Sequence, residues 1–370
     1  MQVATSPVKG KIEKNTLWTV AVSGTLLLIL AYTIYKGTHG EAVFWLVGIA
    51  FGITVQRSRF CFTSAFRDFF LLGQTRMIKG ILVGLAVCTV GFVMVMSTVS
   101  PNPGFGAPPS DANVLPVGLS TLVAGTLFGV GMVLAGGCVS GSLYRMGEGY
   151  VGSWLAIGGV MVGLFLLNNS WNWWWDNLIS NEPKLWLPQI LDIGYLGAFL
   201  ITLLIGGAVF IGLTFFEHKS GYKEYKFTQK ETQFESLIEK LMSPLYVIFK
   251  LPWNITLGAI IIGFISMFLL LIAKPFGVTG ELFASSNRIL DLIGIAPINK
   301  GLNELGGCVA NASSNSSYIS NSFAATWGII PGSFLASSLA GEFKIRIPKE
   351  KLRFFPVSYT HLRAHETLRY

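Results

Sequence analysis

Apolar runs near the length that crosses a bilayer constrain this chain more than any other feature. They fall at 17–35, 42–56, 79–98, 117–136, 153–168, 195–216, 253–273 and 324–341. A spanning helix needs about 20 such residues, and hydrocarbon offers no water to satisfy a backbone left unpaired. The runs therefore predict an all-α, polytopic membrane protein of about eight transmembrane helices. Composition agrees: of 370 residues 52% are hydrophobic and 12% charged, with a mean hydropathy of +0.57, which excludes an ordinary soluble domain. The residues before Thr16 are polar, with Lys9, Lys11 and Lys14, and no small-residue cleavage site follows, so 17–35 reads as a first span and not a signal peptide.

A net charge of +8 raises nucleic acid as a partner, but the distribution of the charge removes it. Lysine and arginine gather in alternate segments between spans: Lys9 to Lys14, Arg57 to Lys79, Arg145, Lys219 to Lys250, and Lys344 to Arg353. The intervening segments hold only Lys36, Lys184, Lys274, Arg288 and Lys300. The positive-inside rule then places the N-terminus in the cytoplasm and makes the lipid bilayer the partner of the basic residues. Residues 1–16 form a cytoplasmic N-terminus, 17–216 a first membrane half, 217–252 a charged cytoplasmic linker and 253–356 a second membrane half. Among the outside segments, 99–116 is proline-rich, whereas 168–188 carries Trp171, Trp173, Trp174, Trp175 and Trp186 as an interfacial belt. Residues 357–370 lack an apolar span and read as a non-native tail on a second half that has lost its last helices.

The halves share a pattern. Gly-Ile-x-x-Gly occurs at Gly80–Gly84 and again at Gly328–Gly332, each preceded by a stretch too polar and too short to cross twice, 57–76 and 275–323. Interrupted segments at membrane depth are tolerated where they are buried in protein or line a cavity. In corresponding positions of two halves they point to re-entrant or short helices and a transport site at the repeat interface.

Two blocks carry candidate chemistry. In Leu134-Ala-Gly-Gly-Cys-Val-Ser-Gly-Ser142 an apolar run ends in Gly136 and Gly137, then Cys138, Ser140 and Gly141. Glycine lets the main chain leave the helix, approach a neighbour and present free N–H groups. A tight helix break packed against another segment explains the same residues. The second block, Gln56 to Asp68, holds Arg57, Arg59 and Cys61. Snorkelling to lipid phosphate or topology accounts for the arginines, and a small buried hydrophobe for the thiol inside an amphipathic element. Cys88, mid-span, reads as packing. The four cysteines do not form a disulfide framework, and neither a cofactor nor a metal is expected.

Together, Arg57-Ser-Arg-Phe-Cys-Phe-Thr-Ser-Ala-Phe-Arg-Asp68, Leu134-Ala-Gly-Gly-Cys138 and Tyr144-Arg-Met-Gly-Glu-Gly149 resemble the YeeE/YedE family of bacterial inner-membrane proteins, over residues 42–356. The resemblance implies an hourglass of transmembrane and re-entrant helices with cysteines along a central path, and uptake of thiosulfate or, in the YedE branch, a link to selenium metabolism. Cys61 and Cys138 match the family's first-half cysteines. Cys308, in Leu305-Gly-Gly-Cys308, is similar to a second-half motif but precedes the last span, and is kept as a vestibule thiol.

Chemistry supports a path over Cys61, Cys138, Gly136, Gly137, Ser140 and Gly141. Thiosulfate is a dianion with a soft terminal sulfur, and a thiol of ordinary pKa near 8.5 is mostly neutral at pH 7. A neutral S–H holds such an anion weakly, and conduction requires that weakness. Arg57, Arg59, Arg145 and Glu148 are candidates for gating or steering, although an ion pair between Arg145 and Glu148 explains those two equally well. The expected function is transport of a small sulfur-containing anion, thiosulfate foremost, and not an enzyme reaction. A selenium-compound transporter and a sulfur relay with a Cys138 persulfide are the alternatives. A cytoplasmic sulfur-carrier protein is a further partner this reading admits. No phosphate-binding loop of the Gly-Lys-Ser/Thr kind is present, which argues against direct drive by ATP.

Overall fold

The computed structural model describes residue 24 and residues 39–99, 114–219, 251–272, 277–294, 299–301 and 320–347. The first expected span, most of the charged linker, Cys308 and the tail lie outside them. Among the described residues the regular elements are helices, with two isolated β-bridges, Pro116 to Lys184 and Tyr150 to Arg346.

In chain order α1 covers His39–Ser58, α2 Phe62–Leu72, α3 Arg76–Val99, α4 Leu119–Ala135, α5 Val139–Gly147 and α6 Val151–Asn177. A single turn, α7 (Leu187–Ile190), precedes α8 (Gly194–Lys219). Then follow α9 (Ile255–Ile272), α10 (Val278–Ile293), α11 (Asn321–Trp327) and α12 (Ile329–Leu339). By length and composition Arg76–Thr98, Leu119–Gly147, Val151–Asn181, Gly194–Lys219 and Ile255–Ile272 are apolar enough to cross a membrane.

The breaks between helices have local causes. Gly73 ends α2 and Gly136 ends α4, both with φ near 65° (67° and 65°), a left-handed backbone that glycine adopts without strain. Gly328 separates α11 from α12, and Pro331 in the first turn of α12 lacks the N–H that would return to the carbonyl of Trp327. The run at 324–341, expected as one span, is consequently two short helices.

Packing inverts the usual order of a soluble protein. The long apolar helices α4, α6 and α8 show bare Leu122, Leu166 and Leu204 at the periphery, as lipid-facing helices do. The interior is built around shorter elements. Val55 of α1, Leu143, Tyr144 and Met146 of α5, Ile157 of α6, Leu282 of α10 and Ile329 of α12 form one buried cluster.

Helix α3 lies along α9, and α1 lies along α12, with α1 and α9 in contact. Both seams are lined by small residues. A Cβ at Gly84 would stand 3.0 Å from the carbonyl oxygen of Ala259, and one at Gly328 3.0 Å from that of Trp45. Close backbone approach of this kind is how membrane helices gain packing energy without a hydrophobic driving force.

Three expectations change. The segment around Arg145, read as a connection between the spans 117–136 and 153–168, contains the buried helix α5, because Leu143 and Tyr144 have core partners on other helices. Helix α6 runs on to Asn177, through tryptophans expected in an outside segment. Its polar Asn168 does not end the span, since it is buried and bonded to Asn299. Cys61 sits immediately before α2 as its N-cap, not inside it.

Candidate functional site

Two short helices begin at two thiols. Cys61 is the N-cap residue of α2, in extended backbone, and Cys138 is the N-cap of α5. Their sulfurs lie 3.8 Å apart, both buried and both free of any disulfide. The Cys138 sulfur accepts from the N–H of Gly141 at 3.3 Å and lies 3.4 Å from the Ser140 hydroxyl oxygen. Gly141 permits the meeting. A Cβ there would stand 2.9 Å from the Cys61 sulfur and 3.1 Å from that of Cys138.

The bend from α4 into α5 is held by Arg145. Its Nη1 donates to the carbonyl of Gly136 at 2.6 Å, satisfying an acceptor left over at the end of α4. Gly137 makes room for it, since a Cβ there would stand 3.1 Å from that nitrogen. The thiols, the glycines, Ser140 and Arg145 thus occupy one place. Around them the N–H groups at the starts of α2 and α5, one of which already bonds the Cys138 sulfur, supply partial positive charge, the setting in which helix termini bind anions.

Arg57, Arg59 and Glu148 gather at a second place, beyond the C-terminal end of α5. Arg57 is 2% exposed, so it does not snorkel to lipid. Gln56 Nε2 donates to Glu148 Oε1 and to Glu342 Oε2, each at 3.1 Å. Glu342 Oε2 also lies 3.6 Å from Arg57 Nη1 and 3.5 Å from Arg59 Nη2. The Arg145–Glu148 ion pair is not formed among the described residues, because the guanidinium serves Gly136 and the carboxylate serves Gln56.

Gln56 and Glu342 were not singled out from sequence. Gln56 opens the arginine block and so stood beside a signal. Glu342 is merely the first charge after the last apolar run, and its partners are far away in the chain. A buried carboxylate was also missed: Glu281 on α10 accepts from Arg288 at 2.9 Å and from Ser320 at 3.2 Å. Cys88 lies mid-way along α3 with its sulfur 3.9 Å from the carbonyl of Gly263, a packing contact.

Comparison with known proteins bears on what such a site is for. A family model described as "Sulphur transport" matches residues 57–355, which include both thiols and the arginine cluster. "Probable transporter YedE" of Escherichia coli is 35% identical over 161 residues, 43% of this chain and 37% of that protein. "Thiosulfate transporter TsuA" of Spirochaeta thermophila is 29% identical over 326 residues, 84% of this chain and 82% of that protein. The Escherichia coli protein of the same name is 26% identical over 306 residues, 81% of this chain and 76% of that protein. The chain thus matches well under half the length of YedE and most of the length of either TsuA.

Proposed function

This chain belongs to the sulphur transport family, and from that premise we propose that it carries a small sulfur-containing anion, thiosulfate foremost, across the bacterial inner membrane over Cys61 and Cys138. The observation that carries the reading is the meeting of two buried sulfurs, 3.8 Å apart, at the starts of two interrupted helices. The two TsuA relatives, which cover most of the chain, support thiosulfate as the first candidate.

The groups present match what a passing dianion requires. Its hydration is replaced by fixed donors: the amides that open α2 and α5, the Ser140 hydroxyl and the two S–H groups. A thiol is a weak donor, so the terminal sulfur is held without becoming trapped. Gly141 keeps the sulfurs within reach of one substrate atom, and Arg145 keeps the α4–α5 bend, and with it Cys138, in place. No bond is made or broken, and each thiol keeps its proton. A soluble sulfur-carrier protein on the cytoplasmic side would receive the released anion.

The test is uptake of radiolabelled thiosulfate into proteoliposomes by the wild type, Cys61→Ala and Cys138→Ala. Each substitution is expected to lower uptake about tenfold or more, since each removes a buried donor to a charged ligand. Wild-type uptake in both variants would refute the path. The geometry also permits a relay, in which a Cys138 thiolate attacks the outer sulfur, sulfite leaves, and a persulfide remains. Mass spectrometry of the protein after turnover separates the two, because only the relay leaves one added sulfur on Cys138. Competition by selenium oxyanions at lower concentration than thiosulfate would move the assignment to a selenium compound.

A further inference from the structure

The arginine cluster has the features of a binding place held shut by a residue of the chain itself. Arg57 is almost wholly buried, yet its Nε has no hydrogen-bond partner among the described residues. Its Nη1 reaches Gln56 Oε1 only at 3.5 Å and Glu342 Oε2 only at 3.6 Å. A settled guanidinium–carboxylate pair closes to about 2.7–2.9 Å, usually through two parallel bonds. Here a buried cation with five donors faces one carboxylate oxygen at arm's length.

That oxygen is shared. Arg59 Nη2 stands 3.5 Å from it, and Gln56 Nε2 donates to it at 3.1 Å. Arg59 is held at φ 51°, a left-handed backbone that strains a non-glycine residue. The turn that imposes this strain is closed by Phe60 N–H on the carbonyl of Val55 and leads directly to Cys61. It is further fixed by Trp253 N–H on the carbonyl of Arg57 at 3.0 Å. Two arginines are therefore brought to one point, one buried and the other 55% exposed, so the point is reachable from outside the protein interior.

Glu342 reaches it from a strap that follows α12. The strap starts at Gly341, with φ 73°, and its far end is tied down by Arg346, whose N–H bonds the carbonyl of Gly149 at 2.8 Å and whose guanidinium lies over the Tyr150 ring. Gln56 links the cluster to Glu148 at the end of α5, the nine-residue helix that starts at Cys138. At 1.5 Å per residue that helix separates Glu148 from Cys138 by about 14 Å, while on the other side Arg59 precedes Cys61 by two residues.

We propose that Arg57 and Arg59 form a second anion station, for a divalent oxyanion, and that Glu342 fills it as a tethered counter-ion when no substrate is present. The tether gives the station a means of release. A dianion carries twice the charge of the carboxylate and displaces it. When the dianion moves on, Glu342 returns and the buried guanidinium is never left unpaired. The identity of the dianion as thiosulfate rests on the transport reading above; the station itself does not.

Sulfate, a dianion without a soft sulfur, probes the station separately from the thiols. Thermal unfolding of the purified full chain is followed as sulfate is titrated to saturation, for the wild type, Glu342→Asp, Glu342→Gln and the Arg57→Gln/Glu342→Gln pair. Removing the tethered charge is expected to lower the half-protecting sulfate concentration about tenfold. Glu342→Asp should follow the wild type, and the double variant should lose protection. Equal protection of wild type and Glu342→Gln, or protection that survives in the double variant, would overturn the proposal. If Glu342→Gln does not fold, Arg59→Gln decides: loss of sulfate protection supports the station and unchanged protection refutes it. Half-saturation of thiosulfate uptake should fall in parallel in Glu342→Gln. Sulfate protection without any thiosulfate uptake would keep the station and remove the transport reading.

Discussion

Gly141 is the residue on which the thiol pair depends, because α5 lays its backbone there directly against the sulfurs of both Cys61 and Cys138. A methyl group at 2.9 Å and 3.1 Å from two sulfur atoms is inside their contact distance, so Gly141→Ala must push at least one thiol away. The expected outcome is a protein that folds, with the pair parted and uptake of radiolabelled thiosulfate reduced about tenfold. A mild oxidant reads the parting directly. In the wild type the sulfurs need to close from 3.8 Å to the ordinary disulfide length of about 2 Å, and diamide should link them and stop uptake until reductant is added. Gly141→Ala should resist that linkage, and equal linkage in both proteins would show that the glycine does not set the distance. The two thiols and their glycines were legible in sequence because each sits in a local pattern, a cysteine at a break in an apolar run. Glu342 was not, because a carboxylate that closes a cluster 286 residues from Gln56 leaves no local trace.

At the level of helices, apolar length decided where segments begin but not always where they stop. The apolar run at 153–168 ends at Asn168, yet α6 continues because that amide has a partner in Asn299 and Trp171 donates to the carbonyl of Lys300 at 2.9 Å. The break at Gly328 was hidden for the opposite reason: Pro331 sits in an apolar run whose hydropathy does not register a missing N–H. The glycines separate into two kinds that sequence does not distinguish. A Cβ on Gly52 of α1 would meet the Ile329 backbone, 3.0 Å from its Cα, whereas nothing lies within 4 Å of a Cβ on Gly206 of α8. Gly52→Ala should therefore cost about 1–3 kcal/mol by forcing α1 and α12 apart. Gly206→Ala should be neutral or slightly stabilising, as alanine is the better helix former by about 1 kcal/mol. Denaturant unfolding in mixed micelles checks both, and an equal effect at the two positions would contradict the seam.

Across the molecule the two expected halves hold each other. Helix α3 of the first half lies on α9 of the second, and α12 of the second lies on α1 of the first. Within the seams Gly84 faces Ala259 and Gly263 faces Val87, while Gly48 and Gly332 face Ala325 and Ile49. The arginine cluster crosses the same division, with Gln56, Arg57 and Arg59 on one side and Glu342 on the other. Association of this extent is expected to persist without the covalent linker, since tightly packed small-residue seams in hydrocarbon have no water with which to exchange partners. A protease site placed within 220–250 tests it. After complete cleavage in proteoliposomes the fragments should co-elute on detergent extraction, and thiosulfate uptake should stay near its uncut level. Separation of the fragments under conditions that keep the uncut chain folded would mean that the linker, and not the reciprocal packing, holds the halves together. Uptake lost while the fragments remain paired would instead assign the linker a part in transport that the described helices do not supply.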